Sequence, residues 1–144
     1  MRILLILLLL SLKLSLNAQL FVTIEPAHFR PGIMYGQNFD KFGLYAKAWY
    51  GTIKSKKDMP YFYTKNIKVG LGTSYKINGL GRVYVGINHN YFFNSYNLEI
   101  SGVNKIHKTS FDIGISGTVA GRFSILLMSD IWNWESNIGV GFNF

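Results

Sequence analysis

Three features predict an all-β chain folded as an eight-stranded antiparallel up-and-down transmembrane β-barrel. Apolar residues recur at intervals of two through nearly all of the chain after residue 18, most alternating runs keep one aliphatic face free of charge, and aromatics gather at the run ends. At 144 residues the chain holds one domain, with no room for a separate catalytic module.

The opening stretch has Arg2, an apolar run from Ile3 to Leu12, an interrupting Lys13, and small Ala18 before Gln19. This is the layout of a secretory signal peptide cleaved after Ala18, although Leu16 is bulky for a cleavage site. The run falls short of the roughly 20 residues a membrane-spanning helix needs. The expected organisation is therefore a signal peptide over 1–18 and a barrel domain over 19–144. Losing Arg2 and Lys13 lowers the formal charge from +8 to +6, with the remaining Lys and Arg dispersed. Such a charge suits an anionic lipid or polysaccharide surface and equally suits plain solubility. The absence of cysteine excludes a lipid-modified Cys anchor, a disulfide scaffold and a thiolate metal site.

Taken in order, Gln19 to Glu25 and Arg30 to Gln37 are short strands separated by a bend that Pro26 and Pro31 mark. The third strand sets Phe42, Leu44, Ala46, Ala48 and Tyr50 against Gly43, Tyr45, Lys47 and Trp49. Asn66 to Ile77 is the most regular, with Ile67, Val69, Leu71, Thr73, Tyr75 and Ile77 opposite Lys68, Gly70, Gly72, Ser74 and Lys76. The fifth sets Val83, Val85, Ile87, His89, Tyr91 and Phe93 against Arg82, Tyr84, Gly86, Asn88, Asn90 and Phe92. The sixth carries Phe111, Ile113, Ile115 and Val119 opposite Asp112, Gly114 and Ser116. Arg122 to Ser129 is less regular, because Leu126 and Met128 fall on its polar face. The eighth sets Ile138, Val140, Phe142 and Phe144 against Asn137, Gly139, Gly141 and Asn143. Short connections are expected at Asn38 to Lys41, Asn78 to Gly81 and Ala120-Gly121, and longer ones at Gly51 to Phe62, Asn94 to Lys108 and Asp130 to Glu135. The first connection, near Pro26 to Phe29, is short for this scheme.

Period two does not say which face is inside. In a soluble lipocalin-like barrel the aliphatics would line a cavity; in a membrane barrel they would meet lipid. Lys47, Lys68, Lys76, Arg82 and Asp112 all fall on the non-aliphatic face. That distribution suits lipid, where Lys or Arg near the midplane costs about 2–4 kcal/mol. Tyr50, Tyr61, Tyr63, Tyr91, Phe93 and Trp134 gather toward the long connections, and Tyr75, Phe123, Phe142 and Phe144 toward the short ones, as two interfacial girdles require. About ten residues per strand, tilted by about 45°, span roughly 23 Å, close to the apolar band of such barrels.

The leader, the alternating strands and the closing Ile138, Val140, Phe142, Phe144 series resemble the small eight-stranded outer-membrane β-barrel proteins of Gram-negative bacteria, of the OmpX and OmpA transmembrane-domain type. The resemblance covers Gln19 to Phe144. It implies residence in the outer membrane beside lipopolysaccharide, and a last strand whose Ile138, Val140, Phe142 and Phe144 are read by the barrel-assembly machinery. It implies no particular activity, since such barrels include enzymes, adhesins and others.

A barrel of eight strands has an interior that side chains fill. The expected lumen is a polar network of Lys47, Lys68, Lys76 and Arg82 with Asp112, Glu25, tyrosine hydroxyls, water or an anion. The non-enzymatic reading places function in the longer loops, where Lys54, Lys56, Lys57, Trp132 and Trp134 are candidate contacts for lipopolysaccharide or a protein. A lipid A deacylase is the enzymatic alternative, but the residue two after His89 is Tyr91 and two after His107 is Thr109, so its His-x-Ser pair is not matched. The three histidines lie on distant segments, no phosphate-binding glycine loop precedes a helix, and no basic module suits nucleic acid. No metal or cofactor is expected.

Overall fold

A computed structural model describes residues 17–54, 63–79, 81–93 and 108–144. Eight strands follow one another: β1 (Ala18–Glu25), β2 (Arg30–Phe39), β3 (Phe42–Lys54), β4 (Tyr63–Lys76), β5 (Gly81–Phe92), β6 (Thr109–Ala120), β7 (Phe123–Asp130) and β8 (Glu135–Asn143). Each pairs antiparallel with its neighbours, and β1 closes on β8 through Gln19 to Ile24 against Asn143 to Ile138. Closure leaves neither strand with a free edge. Ala18 already pairs with Gln37 and accepts the Phe144 N–H at 2.9 Å, so cleavage after Ala18 would trim one ladder residue from β1.

β3 and β4 run several residues beyond the predicted Tyr50 and Asn66, because Gly51 to Lys54 continue the ladder against Asn66 to Tyr63. The predicted long connection from Asp130 to Glu135 is instead a four-residue turn, since these two acids are themselves a ladder pair. It matches the other tight turn, 26–29, across the seam where β1 meets β8. In both turns a carboxylate at the strand end accepts main-chain N–H groups: Glu25 from Ala27 and His28, Asp130 from Trp132 and Asn133. In both, an aromatic with positive φ precedes the next strand, Phe29 at 52° and Trp134 at 54°. The rim is therefore low on this side and carries its long connections, 55–62 and 93–108, on the other.

The faces are those of a protein turned inside out. Leu71, Val85, Ile113, Ile125 and Val140 point outward, with Leu71 69 % exposed, while Lys47, Lys68, Asp112, Asp130 and Glu135 are buried in the lumen. Among the described side chains, the charge at an outward strand position is Lys65, near the outer end of β4. Such a surface suits hydrocarbon rather than water and excludes the lipocalin-like arrangement of aliphatics around a cavity. Girdles flank it, with Phe111 against Trp132 and His89 against Tyr91 toward the long-loop rim. Phe42–Tyr75 and the series Phe123, Phe142, Phe144 stand at the other. All are edge-to-face contacts with centroids 4.6 to 5.6 Å apart, within the favourable range for aromatic pairs.

Leu126 and Met128, which interrupt the alternation of β7, face the lumen and pack with Phe21, Met34, Tyr45 and Tyr84. On β1, β5 and β7 this apolar layer falls between polar residues: Phe21 between Thr23 and Gln19, Tyr84 between Asn88 and Arg82, Leu126 and Met128 between Asp130 and Ser124. Tyr45 reaches across because Gly72 and Gly86 lack side chains; a Cβ at either would overlap its hydroxyl. Gly86→Leu is expected to cost about 1–3 kcal/mol or more, seen as an earlier urea midpoint in lipid vesicles. Gly117→Ala, with nothing within 4 Å, should leave the midpoint in place.

Candidate functional site

The chemistry-bearing residues gather in the half of the lumen nearer the long-loop rim. Each occupies the inward parity of its strand, and most lie within a few residues of a strand end, so the cluster assembles where β1, β2, β4, β7 and β8 approach that rim. Arg30 is its hub. Its Nε donates to Glu25 Oε2 at 3.1 Å, its Nη2 meets Glu135 Oε1 at 2.7 Å, and its Nη1 donates to Asn66 Oδ1 at 3.0 Å. Asn66 passes the chain on to Asn90 Oδ1 at 3.1 Å. Lys68 bridges Asp130 and Glu135, the latter at 2.7 Å. Ser110 Oγ donates to Asp130 at 2.5 Å. Lys47 pairs with Asp112 across the barrel, its ammonium 4.7 Å from the centre of the Trp49 ring.

Three buried cations thus stand among four buried carboxylates, Glu25, Asp112, Asp130 and Glu135. Charges inside a lumen this narrow need partners, and these supply one another. The cluster is suited to rigidity. Its charged groups are engaged with one another, although Trp49 Nε1 and the Asn88 amide beside them have no hydrogen-bond partner among the described residues. The apolar layer lies beneath, so the lumen has the build of a plug rather than a conduit.

Of the predicted lumen residues, Lys47, Lys68 and Asp112 join this cluster. Arg82 is buried, yet lies beyond the apolar layer near the short-turn rim, where it bonds Ser74 and the Lys41 carbonyl. Lys76 is a correction: it is exposed at the short-turn mouth. It is the last residue of β4, and a long cationic side chain there reaches water instead of the packed interior. Arg30, Asp130 and Glu135 were missed, and Glu25 was only one of several suggested partners. Parity would have found them, since Glu25 continues Phe21 and Thr23, Asp130 continues Leu126 and Met128, and Glu135 precedes Asn137.

At the rim, Trp134 is 87 % exposed at the tip of its turn, while the Trp132 ring packs edge-on against Phe111. Lys56 and Lys57 lie outside the described residues; Lys54 ends β3. Ile138 and Val140 point outward, Phe142 packs between Phe123 and Phe144, and Arg122 lies 6.0 Å from the Phe142 ring centre. His89 is outward and half-buried, its Nδ1 3.1 Å from Thr109 Oγ1 on the adjacent strand. No acid lies within 4 Å of this ring among the described residues. No cluster of three metal-ligating side chains occurs among the described residues either.

No protein-family model and no curated protein matches the chain. Solved structures do. The outer-membrane protein Ail of Yersinia pestis, in a phospholipid bilayer nanodisc, superposes with a TM-score of 0.57 at 16 % identity, over 89 % of this chain and 99 % of Ail. A de novo designed transmembrane β-barrel superposes at 0.50 and 14 % identity, over 90 % of this chain and 97 % of the design. The chain has the fold of these small eight-stranded transmembrane barrels.

Proposed function

We propose that this protein is a non-enzymatic integral barrel of the outer membrane that acts through its long-loop rim, contacting lipopolysaccharide or a protein partner. The observation that carries this reading is a lumen filled by ion pairs and an apolar layer beneath a rim of exposed aromatics. A filled lumen offers no route for transport, which leaves the rim to act. Phe29 and Trp134 hold positive φ, a conformation costing bulky residues roughly 1–2 kcal/mol, while their side chains stand in the open. Residues 1–18 serve as the export signal, and the face of Ile138, Val140, Phe142 and Phe144 as the address read by the assembly machinery. The fold shared with Ail, a protein studied in a bilayer, supports the membrane placement.

Fractionation with external protease tests it. Recovery with the outer membrane, heat-modifiable gel migration, and cleavage confined to 55–62 and 94–107 are expected. Recovery only in the soluble periplasm would overturn the reading. A Phe29→Gly/Trp134→Gly variant should migrate as a folded barrel yet bind lipopolysaccharide-containing vesicles more weakly; undiminished binding would remove those residues from the contact surface.

The His89–Thr109 pair favours a second reading, lipid A modification, because an imidazole and a hydroxyl meet on the lipid side. Lipid A mass spectra with the wild type and with His89→Ala decide it. An acyl pattern that changes with the wild type and reverts in the variant would establish catalysis.

A further inference from the structure

We infer that the short-turn mouth of the barrel is a binding site for a phosphate group, anchored by Arg82 and assisted by Lys76. Four cations are buried in the described lumen, and three of them, Arg30, Lys47 and Lys68, each touch one or two carboxylates. Arg82 differs. It is 7 % exposed, its Nε donates to Ser74 Oγ and its Nη2 to the Lys41 carbonyl, both at 3.2 Å, and no carboxylate lies within 4 Å among the described residues. Both partners are neutral, and Nη1 has no hydrogen-bond partner among the described residues.

The acids of the other half cannot compensate it, because Tyr84, next inward on β5, belongs to the apolar layer that separates the two. A buried guanidinium without a counter-charge is costly, and one that keeps N–H groups unengaged beside an open space is prepared for an oxyanion. That space exists. A cavity of about 500 Å³ opens at this mouth, lined by Arg82, Lys76, Asn38, Asn78, Ser116 and Thr118 among others. Lys76 contributes a second positive charge, and the hydroxyls and amides are hydrogen-bonding groups of the kind phosphate oxygens accept from. Asp40 shares the rim on the β2–β3 turn, more than 4 Å from either cation. The ligand is a free phosphate ion or the phosphate of a lipid headgroup.

The test uses the folded barrel in an uncharged maltoside detergent, with the Arg82 Nε–H and, in every variant, the backbone amides of Gly79 and Gly81 at the same mouth followed by NMR during titration. Inorganic phosphate is one probe; short-chain phosphatidylglycerol is the other. A saturable Arg82 shift with either probe is expected, and which probe produces it names the source. Affinity should fall about tenfold or more in Arg82→Gln and fall measurably in Lys76→Gln. Lys76 is exposed, so its variant keeps the test open if Arg82→Gln does not fold. No saturable shift with either probe through millimolar concentrations, or equal affinity in Lys76→Gln and wild type, would overturn the inference.

Discussion

Replacing Lys68 with Ala should lower the unfolding free energy in lipid vesicles by about 3–5 kcal/mol, because it strips the shared cation from two buried carboxylates. Asp130 keeps Ser110 and the turn N–H groups, and Glu135 keeps Arg30, but neither set replaces the ammonium between them. The destabilisation should reach the β7–β8 turn as well, since the Asp130 carboxylate that holds Lys68 also caps it. Lys68→Met/Asp130→Leu removes the pair together, and its cost should be smaller than that of Lys68→Ala although it changes two residues. A denaturant series on the three proteins reads both effects. A double variant less stable than Lys68→Ala would mean that the turn, and not the uncompensated charge, dominates.

Leu71→Arg should cost about 2–4 kcal/mol in the same assay, because Leu71 is the middle of the outward face of β4 and sits opposite Ala46 and Ile87 on the neighbouring strands. An Arg there has neither water nor a carboxylate within reach of the hydrocarbon midplane. The same substitution at Val119, close to the short-turn rim, should cost far less, about 0–1 kcal/mol. Equal costs at both positions would mean that the outward face does not meet a bilayer of ordinary depth.

The faces were legible because the alternation of Val69, Leu71 and Thr73 against Lys68, Gly70 and Gly72 admits one register: a slip of one residue would place Lys68 on the aliphatic side. Strand count and closure followed from the same pattern. The partners inside were not legible. Lys47 meets Asp112 from β3 to β6, and Arg30 meets Glu135 from β2 to β8, contacts set by barrel shear and diameter that no single strand encodes. The ends of the alternation were unclear for a related reason. Asp130 and Glu135 look like loop residues in isolation, and only their ladder pairing and their shared Lys68 show them to be lumen residues. Lys76 erred the other way, since parity assigns a face but not a depth.

The most direct measurement of the central claim is methyl NMR of the barrel in bilayer nanodiscs, reading contacts between protein methyls and lipid acyl chains. Cross-peaks to the acyl chains are expected for Leu71, Val85, Ile113 and Val140, and none for Leu126 or Met128, which the lumen encloses. Acyl contacts at Leu126 and Met128, with water contacts at Leu71 and Val85, would contradict the inside-out barrel and with it the membrane placement.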